Sequence, residues 1–171
     1  MSGLSHHILD ARAKARRQFR PVVLITAPVL ALLFQIYTPL FFNALAFLEL
    51  PLLVVVYFSL MRREPVAGIL IGAAIGLAQD ALSHNPLGMF GIVKTLVGCF
   101  ASYLSQRFDV QNSLVRFFMG FFFYFMHQLL YCAMANTLLA QPLPFDAVGT
   151  LLVGVLNGAV AAPLFALLDR M

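Results

Sequence analysis

The chain has 171 residues, 61% hydrophobic and 11% charged, with a mean hydropathy of +0.90 and a net charge of +4. So apolar a composition excludes a soluble domain with an ordinary core and describes an all-α integral membrane protein, with length for about six spans of about 20 residues and little left over. The positive balance does not point to nucleic acid, because Arg12, Lys14, Arg16, Arg17 and Arg20 all stand just ahead of the first apolar run, a topogenic and membrane-surface pattern.

Residues 1–20 are therefore expected to form a basic cytoplasmic segment and residues 21–171 one six-helix transmembrane domain. The same N-terminus mimics a secretory signal, with Ala44-Leu-Ala46 resembling a cleavage site. The apolar stretch is long for a signal sequence and further spans follow it, so retention is expected.

Apolar runs and turn signals predict helices at about Val22 to Tyr37, Ala44 to Met61, Val66 to Leu82, Gly88 to Leu104, Leu114 to Leu139 and Ala147 to Leu168. The joints carry Thr38-Pro39, Arg62-Arg63-Glu64-Pro65, Ser83 to Leu87, Arg107 to Ser113 and Gln141 to Phe145. With six spans, the N-terminal cations, Arg62, Arg63, Arg107, Arg116 and Arg170 all fall on one side, which predicts cytoplasmic N- and C-termini. Only Lys94 is left over, inside the fourth span.

The first span carries Ala27-x-x-x-Ala31, a small-residue pair of a kind that also arises by chance. In the second, Glu49 precedes Pro51 near the outer end, where a carboxylate can reach water and anchor the interface. The third holds the most informative pattern of the chain: Gly68, Gly72, Gly76 and Asp80, each four residues apart, form one stripe of bare backbone that ends in an acid. Hydrocarbon makes a lone aspartate cost roughly 2.5 to 3.5 kcal/mol, so Asp80 should face protein, a cavity or the interface. Pro86 and Gly88 mark the turn that follows. His84 in that turn has no second ligand at metal-binding spacing.

Across that turn Asp80 and Lys94 lie at similar depth on antiparallel helices, so they either pair and orient spans three and four or reach the headgroups separately. The fifth span is aromatic on every side from Phe117 to Phe125, then places His127, Gln128, Tyr131 and Asn136 at spacings that suit interhelical hydrogen bonds or a polar pocket wall. In the sixth, Gly154, Gly158 and Ala162 repeat the four-residue step beside Asn157. The recurrence fits either ordinary close packing or a three-plus-three inverted repeat. Cys99 and Cys132 sit in apolar runs as small hydrophobes, with no disulfide framework and no metal site indicated. No nucleophile elbow, Walker loop, HExxH or paired carboxylate at catalytic spacing occurs, so neither catalysis nor a cofactor is expected.

Gly72-x-x-x-Gly76-Leu-x-x-Asp80, then Pro86-Leu-Gly88, resembles the signature region of the bacterial rod shape-determining MreD family, and the basic start, the short loops and the Arg-Arg-Glu-Pro turn agree in outline. The resemblance implies a non-enzymatic, multi-pass protein of the bacterial cytoplasmic (inner) membrane. It would belong to the elongasome, the machinery that directs peptidoglycan synthesis for cell elongation and shape. It also implies partners: MreC directly, and RodA, a class B penicillin-binding transpeptidase and MreB in the same machinery. The family looks like the S components of energy-coupling-factor transporters, six-helix bundles with a central pocket. That likeness sets the rival reading, a substrate-binding subunit of a small-molecule transporter whose pocket would be lined by Asp80, Lys94, His127 and Asn157. Lys94, His127 and Asn157 match no part of the signature.

Overall fold

Among the described residues prolines open the first three helices, where a missing amide costs nothing because the first turn has no intrahelical acceptor to offer. In a computed structural model that describes residues 21–41, 45, 47–83, 86–108, 110–138 and 145–170, six helices occur among the described residues: α1 (Pro21–Phe41), α2 (Leu50–Arg62), α3 (Pro65–Leu82), α4 (Met89–Leu104), α5 (Ser113–Leu138) and α6 (Ala147–Arg170). The basic segment with Arg12, Lys14, Arg16, Arg17 and Arg20 lies outside the described residues, as do His84 and the turn residues from Gln141 to Pro144. Helices α3, α5 and α6 are each long and apolar enough to cross a membrane, whereas Val22–Thr38, Leu50–Arg62 and Met89–Leu104 are shorter apolar stretches.

Two boundaries differ from the sequence reading. Helix α1 runs on past Thr38-Pro39 to Phe41, because Pro39 removes only the one amide that would return to the Gln35 carbonyl. Helix α2 starts at Leu50 and not near Ala44. Pro51 fits only the first turn, and the Glu49 amide is engaged by Asn157 of α6, so the chain before it does not propagate as α-helix. At its other end α2 stops on Arg63, which takes the left-handed conformation at φ 55° and donates its amide to the Ser59 carbonyl. Glu64, ahead of Pro65, is extended, and α3 begins at once.

Helix α2 is the hub. Its 13 residues reach about 20 Å, short of the roughly 30 Å of a hydrocarbon core, yet every residue from Pro51 to Leu60 is buried. It touches each of the other five helices, so it has no lipid-facing side. The Tyr57 ring lies 5.3 Å from Phe165 of α6, and the Ser59 carbonyl accepts a 3.1 Å hydrogen bond from the Ser102 hydroxyl of α4.

Around this hub pack two antiparallel hairpins, α3 with α4 and α5 with α6. In the first, the backbones themselves meet. A Cβ built on Gly68, Gly72 or Gly76 would overlap the carbonyl oxygen of Gly98, Lys94 or Phe90, so a four-residue step on α3 descends a four-residue step on α4. In the second hairpin, an added Cβ on Gly158 would meet the Phe117 carbonyl and one on Gly154 the Phe121 ring.

The arginine-bearing end is tied across helices. Arg116 of α5 pairs with Asp169 of α6 and donates from Nε to the Val110 carbonyl at 2.9 Å. Asp169 also accepts the Tyr57 hydroxyl at 3.0 Å, and Gln106 Nε2 donates to the Arg63 carbonyl at 3.4 Å. The outer faces of α1, α5 and α6 expose Val22, Ile25, Leu114, Phe118, Leu152 and other large apolar side chains, as expected of a bundle whose solvent is lipid.

Gly72→Ala should lower bundle stability by about 1–3 kcal/mol, since the methyl group must displace backbone and not a side chain. At Gly149 the new methyl group would meet only the flexible Asp146 carboxylate, so Gly149→Ala should be close to neutral. Thermal unfolding of both variants in detergent decides the matter; equal losses would mean that α3 and α4 do not approach through Gly72.

Candidate functional site

Away from the arginines, the bundle encloses a layer of polar side chains contributed by α3, α4, α5, α6 and the residue before α2. Asp80, in the last turn of α3, is 1% exposed. Its Oδ2 accepts the amides of Gly88 at 3.0 Å and Gly91 at 2.9 Å, and its Oδ1 accepts that of Phe90 at 3.1 Å. The first amides of a helix have no intrahelical acceptor and carry the positive end of its dipole, so a carboxylate placed there satisfies both needs. The turn that brings α4 onto this carboxylate requires Gly88 at φ +95°, a conformation that an L side chain resists. Pro86 precedes it on the exposed surface and accepts the Met89 amide at 3.3 Å.

Asp80 and Lys94 do not form the direct ion pair that was one reading of their spacing. The Asp80 oxygens are taken up by three backbone amides. The Lys94 ammonium, more than a turn further along α4 and fully buried, donates to Gln79 Oε1 at 2.6 Å and lies 3.6 Å from Glu49 Oε2. It also stands over the Phe90 ring, 4.5 Å from its centroid. Glu49 is correspondingly no interfacial anchor, because its side chain is only 17% exposed and faces the lysine. A buried cation needs a counter-charge, and the residue before α2 supplies it.

Asn157 of α6 is fully buried and does the work of missing secondary structure. Its Oδ1 accepts the Glu49 amide at 3.0 Å, and its Nδ2 donates to the carbonyls of Phe47 at 3.1 Å and Val153 at 3.0 Å. Non-helical backbone inside a membrane bundle is tolerated only where protein groups satisfy it. One carboxamide does so here for two peptide groups of the α1–α2 connection.

His127 of α5 is 2% exposed, and its ring lies nearly parallel to that of Phe90, with centroids 5.8 Å apart and a 9° interplanar angle. Tyr131, one turn on, stacks on the same Phe90 at 5.3 Å. Gln128 turns elsewhere and approaches the Cys132 sulfur at 3.9 Å. Cys99 and Cys132 are both free thiols. Among the described residues no group of three or more His, Cys, Asp or Glu side chains could hold a metal ion.

The sequence reading missed the roles of Glu49, Gln79 and Asp169. Glu49 carried a usable signal, because a buried Lys94 demands an acid and Glu49 is the one acid besides Asp80 that the sequence reading put at the same end of the bundle. Asp169 was hidden by the use of Arg116 as a topological marker alone. Taken together the layer fixes five elements in register: the α1–α2 connection, α3, α4, α5 and α6.

Lys94→Met should cost about 3–5 kcal/mol, because it strands Glu49 inside the bundle, and adding Glu49→Gln should recover a good part of that loss. Exchanging Asp80 and Lys94 should recover nothing, because a lysine cannot accept the amides of α4; rescue by the exchange would return the two residues to a direct pair. Asn157→Leu should cost about 1–3 kcal/mol for each peptide group left unsatisfied. Chemical or thermal denaturation in lipid nanodiscs, read by tyrosine fluorescence, measures all of these.

The geometry can be set beside known proteins. No curated protein and no solved structure matches the chain. A family model described as rod shape-determining protein MreD matches residues 15–170. The match spans nearly the whole chain, including every element that builds the polar layer, and the chain belongs to the MreD family of rod shape-determining proteins.

Proposed function

We propose that, within the role in rod-shape determination that its family implies, this chain is a non-catalytic membrane scaffold. It crosses the bacterial cytoplasmic membrane six times with both termini inside, as a bundle of the S-component kind. It binds the single-span protein MreC and helps organise peptidoglycan synthesis for elongation. RodA, the class B transpeptidase and MreB belong to the same assembly. The basic segment at residues 1–20 lies on the anionic inner leaflet or reaches MreB.

The observation that carries this reading is where the apolar surface lies. The middle of the bundle is filled by Leu52, Leu53, Phe58, Phe123 and Phe165, all fully buried. Helix α5 meanwhile exposes Leu114, Phe118 and Phe122 at successive four-residue steps, with Leu129 two turns further on, a continuous stripe suited to another membrane helix. A chain with a filled core and short connections has its lateral surface as output. The α5 stripe is the docking face proposed for MreC. The glycine approach of α3 and α4 and the polar layer keep that face rigid.

Pull-down of the tagged chain from its native envelope tests the reading, with mass spectrometry of proteins and small molecules. The parent chain should retain MreC, and Leu114→Ala, Phe118→Ala and Phe122→Ala combined should lose at least tenfold of it while unfolding at an unchanged temperature. Full MreC retention by the triple variant would remove α5 as the docking face. A stoichiometric small molecule together with an ATPase-linked membrane partner would replace the scaffold by a transporter subunit.

A further inference from the structure

His127 is the anomaly of the polar layer. It is 2% exposed, and neither Nδ1 nor Nε2 has a hydrogen-bond partner among the described residues. The Phe90 ring lies along one face of the imidazole, and Tyr131 stacks beside it at 6.5 Å and 20°. Aromatic rings satisfy the faces of an imidazole and leave its edge, where both nitrogens sit, to find other partners.

A second orphan stands beside Lys94. Among the described residues Glu49 Oε2 is buried and accepts no hydrogen bond, the Lys94 ammonium standing at the ionic distance of 3.6 Å. Lys94 and His127 flank the same Phe90 ring, the ammonium 4.5 Å and the imidazole 5.8 Å from its centroid. Phe90 thus lies between an imidazole with a donor and an acceptor to spare and an ammonium held by Gln79, beside which stands a carboxylate oxygen that accepts no hydrogen bond.

Buried polar atoms without partners are rare, because each forfeits its hydration and receives nothing in return. The charges define what can fill the gap. Glu49 and the nearby Asp80 disfavour an anion, Lys94 disfavours a cation, and a single imidazole does not make a metal site. A neutral hydroxyl fits, since one O–H can donate to the carboxylate or the imidazole while its oxygen accepts from the imidazole N–H or the ammonium.

We propose that His127 and Glu49 Oε2 are the two ends of a binding site for neutral hydroxyl groups in the outer half of the bundle. The guest is water or the hydroxyls of a small organic molecule, which present the same chemistry. The site joins α5 to the α1–α2 connection through the guest and is independent of the scaffold reading, which rests on the outer surface of α5.

The test uses the full chain in lipid nanodiscs with nitrogen-15 histidine and solid-state magnetic resonance. The chain has four histidines, so His127 is assigned by subtraction of the His127→Gln spectrum, whose carboxamide keeps a donor and an acceptor at that position. Both His127 ring nitrogens should show the shifts of a hydrogen-bonded neutral imidazole and receive magnetisation from O–H protons, and Glu49→Gln should move those shifts. Transfer from bulk-exchanging water protons identifies water as the guest. Release of one equivalent of a hydroxylated small molecule on denaturation identifies an organic guest. Free-imidazole shifts without O–H transfer would overturn the site, and so would His127 signals unmoved by Glu49→Gln.

Discussion

The bare backbone of α3 is the constraint on which the rest depends. Because Gly68, Gly72 and Gly76 carry no side chains, α3 closes on α4 until carbonyl oxygens of one helix fill the places where Cβ atoms of the other would stand. That separation sets the geometry of the turn between them. It carries Asp80 beneath the first amides of α4 and brings Gln79 within 2.6 Å of the Lys94 ammonium. A pair of helices held apart by ordinary side chains would leave the carboxylate without its donors and the lysine without its first acceptor. In hydrocarbon both losses are larger than in water, because no solvent replaces the missing partner.

The second hairpin serves a different end. Helices α5 and α6 bring Asn157 and His127 to the polar layer and Arg116 and Asp169 to the opposite end, so the short α2 is gripped at both. Near its start Asn157 holds the Phe47 carbonyl and the Glu49 amide. Near its finish Tyr57 donates to Asp169, itself paired with Arg116. A helix of 13 residues too short to span the hydrocarbon on its own can sit there because its irregular N-terminal approach is satisfied by side chains of another helix. The result is a hub buried from Pro51 to Leu60 and a rim of helices whose outer sides are largely apolar. The polar and close-packed contacts thus lie inside the bundle, and its exterior is largely apolar.

Reading the sequence singled out Asp80, Lys94, His127 and Asn157 as buried polar residues to be explained, and the glycine stripe as a close-packing face. Which atoms they meet was legible only in part. The spacing of Gly72, Gly76 and Asp80 is local, and four-residue periodicity converts directly into a helical face. The match of Lys94 to Glu49 joins α4 to the α1–α2 connection, and the hydrogen bonds of Asn157 reach back more than a hundred residues to the same connection. No local pattern encodes such a distance. The start of α2 was misplaced for the same reason: the apolar run from Ala44 onward looks helical, and what stops it before Leu50 is a carboxamide on the last helix.

By itself, then, the sequence determined that this chain is a membrane-embedded helical protein, where most of its helices run, and that it carries the signature of its family. Those properties follow from hydropathy, turn residues and short-range spacing, each written into consecutive residues. Tertiary structure alone decided that Asp80 caps a helix and leaves Lys94 to Glu49, that Asn157 stands in for backbone pairing, and that the nitrogens of His127 face no partner among the described residues. Hydrogen bonds and ion pairs form within about 3 to 4 Å, and only the packing of α3 against α4 and of α6 against the approach to α2 brings these distant atoms that close.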